Sequence, residues 1–348
     1  MNKDKLQELL AKISEAQGFY HMGWATLSRP LSMDIYHQWL EDKKHGEMNY
    51  LATHAPIKEN PQLQWPLMRS AFVVAVPYFP HPHSAQFKIK TSRVCLYASG
   101  DDYHYWFKQQ LEKASASLKE IFPEAIFYCA TDNTPILERD LAHRAGLGWV
   151  GKNSCLIHPK KGSLFLLGEI LTDLAFESQA DALPDFCGKC RRCIESCPTQ
   201  AIEENRTLDA KKCISYWTIE SRQVPPEPLR EKFGDHLFGC DICQTVCPWN
   251  QKIFKDTLET KTIRHYNANQ TAELIQELNY ILLSSGKQLE RDFKSTPLAR
   301  AGQFGLRRNA MIVIANLKLK NCYEAVLAYI NHEKLGELAR WTLKKLET

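Results

Sequence analysis

The sequence predicts an α+β protein in three parts: an N-terminal α/β sandwich, a small cysteine-rich module and a C-terminal set of HEAT-like helix pairs. Three observations lead there. Helix and strand patterns alternate over the first 175 residues or so. Eight of the twelve cysteines fall between positions 187 and 247. From 256 onward the apolar periodicity is helical. The expected domain bounds are 1–178, 179–255 and 256–348.

The chain opens on MNKDKLQELLAKISEAQGF, whose Leu6, Leu9, Leu10 and Ile13 make one stripe of an amphipathic helix. AFVVAVPY (71–78) is a continuous apolar run ended by proline, as a buried strand would be. YHYWFKQQLEKASASLKEIF (103–122) reads as a helix and AIFYCA (125–130) as a strand. PILERDLAHRAG (135–146) reads as a helix with Pro135 at its start and Gly146 at its end. LFLLGEILTDL (164–174) supplies a further buried strand.

Gly146-Leu-Gly148-Trp-Val-Gly151 matches the dinucleotide fingerprint, but it follows a helix pattern rather than a strand. After it, Lys152-Asn153-Ser154 leads into a strand-like CLI, so the required strand, turn and helix are missing. The glycines instead predict a close backbone approach to a packed strand or to a cofactor.

The cysteines come in two runs. The first is Cys187-x2-Cys190-x2-Cys193-x3-Cys197-Pro198; the second is Cys213, then Cys240-x2-Cys243-x3-Cys247-Pro248. This is the bacterial ferredoxin pattern, in which three thiolates hold one 4Fe–4S cube and the fourth reaches a second cube. Crossed ligation gives one cluster Cys187, Cys190, Cys193 and Cys247, and the other Cys213, Cys240, Cys243 and Cys197. Zinc ribbons also pair C-x2-C, but they have no use for Cys-Pro terminators. Residues 214–239 form an insertion carrying Tyr216, Trp217, Ile219, Glu220 and Arg222. A pure electron carrier needs no such loop. It reads either as a surface excursion or as a wall of the place where the electrons are used.

GLRRNAMIVIANL (305–317) and YEAVLAYINHEKLGELARWTLKKL (323–346) look like paired amphipathic helices, too few for a solenoid. Net charge is +4, yet from Ile281 to the end twelve Lys and Arg face six Asp and Glu, a net of +6 that leaves −2 elsewhere. A basic C-terminal third points to a polyanion, although solvated helix backs give the same pattern. Hydrophobic content of 44% and charged content of 24% are those of a globular protein rather than a disordered one. The N-terminus lacks the apolar core of a signal peptide and no segment is apolar enough to span a bilayer, so the expectation is cytoplasmic, with no membrane partner. Reduced thiols there suit cluster ligation better than disulfides. Cys95, Cys129, Cys155 and Cys322 stand alone and read as small buried hydrophobes.

Three stretches taken together resemble one family: DNTPILER…AGLGWVGKNS, the two-cluster module with FGCDICQTVCPWN, and the RRNA helix. The chain is similar over its whole length to epoxyqueuosine reductases, cobalamin-dependent iron–sulfur enzymes of tRNA modification. The resemblance implies reduction of epoxyqueuosine to queuosine at the wobble position of tRNA, by low-valent cobalamin fed from two 4Fe–4S clusters. It makes the N-terminal sandwich the cobalamin-binding domain and the C-terminal helices a tRNA-binding region. An external donor of flavodoxin or ferredoxin type would supply the electrons. No D-x-H-x-x-G signature is present, so cobalamin rests on the resemblance alone.

The resemblance also assigns roles. Asp132, in Thr131-Asp132-Asn133-Thr134-Pro135, matches the family's general acid; read from the residues alone, it caps the helix beginning near Pro135. Lys58 stands where the family has arginine, keeping the charge and losing the fork. Tyr97, Asp132, Asn153, Ser154, Leu156, Ser163, Leu167 and Glu220 are the other expected cobalamin contacts. Arg222, Arg307, Arg308 and Lys318 are expected to meet tRNA, and Glu138 and Arg139 to form a structural ion pair. Two other classes fit parts of the chain: a reductive dehalogenase-like cobalamin enzyme on a small molecule, and a ferredoxin-type electron-transfer subunit.

Overall fold

In the computed structural model, which describes residues 3–79, 88–178, 184–254 and 261–347, strand parity sorts the N-terminal apolar residues onto two faces. Strands β1 (His21–Thr26), β2 (Ser70–Pro77), β3 (Phe127–Ala130) and β4 (Phe165–Thr172) form one sheet in the order β1-β2-β4-β3, each pair antiparallel. Phe72, Val74 and Val76 of β2 face helices α1 (Lys3–Gln17) and α2 (Tyr103–Ile121), meeting Leu6, Leu10, Phe107 and Leu111. Ala71, Val73 and Ala75 point the other way, toward Leu141 and Ala142 of α3 (Glu138–Arg144). The unbroken apolar run of β2 thus marks a strand covered on both sides. The sandwich is α+β and its sheet antiparallel. Strand β1 has no counterpart in the sequence reading, because Gly23 and the polar His21 and Thr26 dilute its period.

Near the site one expectation changes and another is narrowed to one of its alternatives. Helix α3 begins at Glu138 with Leu137 as its N-cap, so Pro135 lies in the preceding turn. There Thr134 donates twice to the Thr131 carbonyl, from N at 2.9 Å and Oγ1 at 2.7 Å. Gly148 and Gly151 serve a packed strand: added Cβ atoms would lie 2.3 Å from the Ile157 carbonyl oxygen and 2.5 Å from Ile157 Cδ1. They sit at the short hairpin of Trp149–Val150 with Leu156–Ile157.

A second core joins the cysteine module to helices α4 (Ala268–Leu283), α5 (Gly286–Phe293), α6 (Gly302–Asn316), α7 (Tyr323–Leu327) and α8 (Gly336–Glu347). Ile89, Val94, Cys95 and Ala98 leave the sandwich and enter this core, with Arg93–Val94 pairing in parallel with His236–Phe238. The expected first domain therefore lends a segment to the second core. The expected bounds at 178/179 and 255/256 fall at the edges of segments outside the described residues. Residues 323–346 do not make one continuous helix; α7 and α8 are separated by a turn. No helix among the described residues is long and apolar enough to cross a membrane.

Helix α6 is buried nearly all round, and this corrects the reading of Arg308. Arg308 is 1% exposed and cannot meet a phosphate at the surface. Its guanidinium donates to the carbonyls of Ser221 at 2.7 Å, Gln223 at 2.8 Å and Trp217. Burial, then the neighbouring Arg222 charge, pushes its pKa down to about 9. Asn309 adds Nδ2 bonds to the carbonyls of Thr218 at 2.8 Å and Leu237 at 2.9 Å. Trp217 and Thr218 belong to a π-helical turn, Tyr216–Glu220, closed by Ser221 N to the Tyr216 carbonyl at 3.0 Å. So wide a turn cannot satisfy all its own carbonyls, and α6 supplies the missing donors.

Arg308→Met should leave several buried carbonyls without donors, at ~1–3 kcal/mol each. Thermal unfolding should show a loss of roughly 3 kcal/mol or more, accompanied by reduced iron content, because the turn lies between Cys213 and Cys240. An unchanged melting temperature would contradict the bracing role.

Candidate active site

Segments from all along the chain converge on a cavity of about 1190 Å³, above the range of roughly 300–1,000 Å³ usual for small-ligand pockets. Lys58, Tyr97, Asp132, Ser154 and Glu220 all line it, as the sequence predicts for cofactor contacts. Tyr50, Tyr103, His104, Glu138 and Arg300 join them. The π-turn contributes Ile219 and Glu220, so the cluster-module insertion is a wall of this site.

Asp132 caps no helix. Its carboxylate receives the Tyr103 hydroxyl on Oδ2 and pairs with His104 Nε2 at 2.8 Å on Oδ1. His104 Nδ1 lies 2.6 Å from Asp102 Oδ1, and Asp102 also caps α2 by accepting His104 N at 3.0 Å. His104 is thus an imidazolium held between two carboxylates. Its hydrogen bonds, first to Asp102 and then to Asp132, push its pKa up to about 10. Two further acids act on this group, Glu169, which is buried, and Glu138, which is half-buried. Glu169, at the centre of β4, is 0% exposed, and neither carboxyl oxygen has a hydrogen-bond partner. Burial, then Glu138, raises its pKa well above the carboxylate range. Burial, then the Asp132 charge, pushes Glu138 up to about 8. Both are carboxylic acids rather than carboxylates at neutral pH.

Lys58 is buried, its Nζ donating to the Ile136 carbonyl at 3.3 Å, and burial lowers its pKa. Glu138 and Arg139 do not form the expected ion pair: Arg139 donates to the Ser154 carbonyl instead. Glu220 accepts a two-pronged bond from Arg300 at 2.8 and 3.1 Å, and Arg300 lies 5.8 Å over the Tyr50 ring. Tyr97 meets Tyr103 edge to face at 6.0 Å.

Asn153, Leu156, Ser163 and Leu167 do not line the cavity. Asn153 donates to the Cys243 carbonyl at 3.1 Å, and Ser163 bonds Gln244 at 3.1 Å and Asn250 at 2.7 Å, so both tie the sandwich to the cluster module. Leu156 and Leu167 pack in the sandwich core. Of the basic residues, Arg222 and Arg307 line a separate cavity of about 420 Å³ with His332 and Lys334. Lys318 is exposed just beyond the end of α6.

Sequence comparison fits this architecture. A family model described as "Epoxyqueuosine reductase QueG, DUF1730" matches residues 58–132, and one described as "4Fe-4S double cluster binding domain" matches 186–250. An epoxyqueuosine reductase of Aliivibrio fischeri is 37% identical over 354 residues, covering 99% of this chain and 93% of the relative. The chain belongs to the epoxyqueuosine reductase family. Another member, from Cyclobacterium marinum, is 32% identical and covers 89% of this chain and 97% of its own. The solved epoxyqueuosine reductase of Streptococcus thermophilus superposes with a TM-score of 0.81 at 24% identity, covering 99% of this chain and 90% of that one. A further epoxyqueuosine reductase, in complex with an epoxyqueuosine-modified tRNA-Tyr stem loop, gives 0.80 at 24% identity over 100% of this chain and 92% of that one. These structures confirm the mixed α+β fold. As an epoxyqueuosine reductase family member, the chain is an oxidoreductase with a 4Fe–4S double-cluster domain, and the zinc alternative is set aside.

Within that domain thiols of the two runs influence one another's titration. Cys193 is pushed up to about 11, first by burial and then by the charge of Cys247. Cys247 is raised by burial and by Cys187 and Cys190. Burial raises Cys213, with Cys197 adding to it, and burial raises Cys243, followed by the charges of Cys155, Cys240 and Cys213. Thiols so buried and crowded reach the thiolate state only when positive charge on iron offsets them, which fits cluster ligation.

Cys247→Ala should therefore remove the cluster built on Cys187, Cys190 and Cys193, dropping iron from about eight to about four per chain. Cys197→Ala should damage the other cluster instead. If electron paramagnetic resonance showed the same cluster lost in both variants, the crossed assignment would be wrong.

Proposed function

We propose that this chain reduces epoxyqueuosine to queuosine at the wobble position of tRNA, with cluster electrons and Asp132 protons meeting in the large cavity. The observation that carries this is Asp132 held at the cavity face by His104 and Tyr103, opposite a wall supplied by the cluster module. A structure from Bacillus subtilis in the same family has an aspartate-bearing catalytic loop swung out of its active site. We assign the corresponding role here to the turn carrying Asp132. A tRNA substrate is consistent with a cytoplasmic enzyme.

Cobalamin fits the residues present: the cavity is large, mixed aromatic and polar, and Glu138 Oε1 is buried there without a partner. Lys58, Tyr97, Ser154 and Glu220 would hold it, as side chains lining the cavity. When bound, it supplies low-valent cobalt for the electron-transfer chemistry. For tRNA, Arg222, Arg307 and Lys334 form a basic rim beside the cavity that would meet phosphates and fix register, and Lys318 lies nearby in sequence.

Taking the epoxide oxygen out as water consumes two electrons and two protons. The Asp132 carboxylate takes the proton of His104 Nε2–H on Oδ1, across the 2.8 Å contact, and delivers it to the leaving oxygen; solvent then recharges His104 and a second proton follows the same route. Asp102 keeps the imidazole ring in place while this happens, and Glu138 and Glu169 stay neutral nearby. Electrons thus enter a site already poor in negative charge.

Asp132→Asn keeps size and shape but removes the titrating proton. With epoxyqueuosine-containing tRNA and a low-potential reductant, its turnover should fall about 10²- to 10⁴-fold. Cluster content and tRNA affinity should stay normal. Near wild-type queuosine formation by the folded variant would overturn the assignment.

A pH profile tests His104 separately. Its folded pKa of about 10 lies above the ordinary 6.5, so His104 stays charged through neutral pH and loses its proton as pH rises through about 10. Wild-type activity should decline along that alkaline limb. His104→Gln should be slower at neutral pH and lack the limb; an unaltered profile would contradict the relay.

A further inference from the structure

The two cysteine groups lie at different depths. Around Cys187 and Cys190 the chain is exposed at Gly188, Lys189, Arg191 and Arg192, and Phe186 is 47% exposed. Around Cys213, Cys240 and Cys243 it is buried at Ile214, Phe238, Gly239 and Ile242. The first group therefore faces solvent, while the second lies inward, next to the π-turn that walls the cavity. Electrons from outside reach the Cys187 group first.

The surface over that group has a distinct chemistry. Phe186 touches Trp149 edge to face at 5.0 Å, Trp149 touches Trp249 at 5.0 Å, and Trp249 lies 6.1 Å from Phe186. Trp149 and Trp249 pack with Cys187 and Cys247. An exposed aromatic ring is thus continuous with the outer thiols. Cations surround it. Lys189, Arg192 and Lys252 are exposed, with Lys252 Nζ 5.9 Å over the Trp249 ring. The nearby acids are turned to other cations: Asp185 pairs with Arg206, and Glu195 and Glu204 share Arg191. The face is apolar at its centre and positive at its rim.

We propose that this face, centred on Phe186 and rimmed by Lys189, Arg192 and Lys252, docks a small acidic one-electron carrier protein. The inference rests on the two-cluster reading. Charge complementarity of this kind raises encounter rates while leaving the complex weak enough to dissociate, as a carrier requires. Redox encounters of this class use small interfaces, below about 1,200 Å². Each encounter oxidises the carrier by one electron and reduces the outer cluster by one. Two encounters supply the two electrons that the epoxide consumes.

The test uses the cluster-loaded full chain and a photoreduced acidic flavodoxin as probe. Cluster bleaching is followed by stopped flow at low and high salt, for wild type and for Lys189→Glu/Arg192→Glu/Lys252→Glu. The wild-type rate should fall as salt rises, and the variant should be at least about 10-fold slower at low salt. Excess dithionite should reduce both proteins to the same end point and support the same single turnover. Equal flavodoxin rates in the two proteins, or a salt-independent wild-type rate, would overturn the proposal. So would a variant that loses affinity for the tRNA stem loop while keeping its flavodoxin rate, since the face would then belong to nucleic acid. Absence of iron from the wild type would instead refute the cluster reading itself.

Discussion

The contact between Arg308–Asn309 and the Tyr216–Glu220 turn ties together the parts of this molecule that function needs. The turn is wound too widely to satisfy all its own carbonyls, and it sits between Cys213 and Cys240. Its far end places Ile219 and Glu220 in the cavity wall. Helix α6 fills the deficit with a planar, multiply donating guanidinium and an amide, buried where water cannot compete. Lysine offers three rotatable donors and lacks the flat fork that spans separate carbonyls. One buried side chain thereby couples the helical region, the cluster module and the reaction cavity.

The cavity's electrostatics follow from a similar economy of charge. Glu169 is the lone carboxyl group in an otherwise apolar strand, and an ionised form there would be costly without a partner. It stays protonated, and so does Glu138 beside it. The charge that remains is held in pairs: His104 between Asp102 and Asp132, and Arg300 with Glu220. A site that receives electrons benefits from this arrangement, because excess negative charge would oppose further reduction. The protons sit close to the place where oxygen must leave.

Much of this was legible in the sequence because the signals are local. Cysteine spacing announced the double-cluster domain. Apolar runs located β2, β3 and β4, and the long insertion suggested a cavity wall. What escaped depends on long-range packing. Arg307 and Arg308 look alike in a basic stretch, but helix rotation buries one and leaves the other beside a surface cavity. Asp132 looks like a helix cap until the helix is seen to start at Glu138. His104 gains its meaning only when Asp132, 28 residues on, folds against it. Glu169 carried a readable signal, a single acid inside the apolar run FLLGEIL, whose importance appears once both faces of the sheet are covered. Strand β1 is a case where tertiary packing outweighs a weak local pattern.

The most direct test is a single-turnover titration. Protein carrying both clusters and cobalamin is reduced under anaerobic conditions, freed of reductant and mixed with an epoxyqueuosine-modified stem loop. Cluster oxidation is read by electron paramagnetic resonance and queuosine by mass spectrometry. The account predicts two electrons withdrawn from the protein for each queuosine formed, with no oxidation when unmodified stem loop is added. Queuosine formation with the clusters still reduced, or cluster oxidation without product, would contradict it.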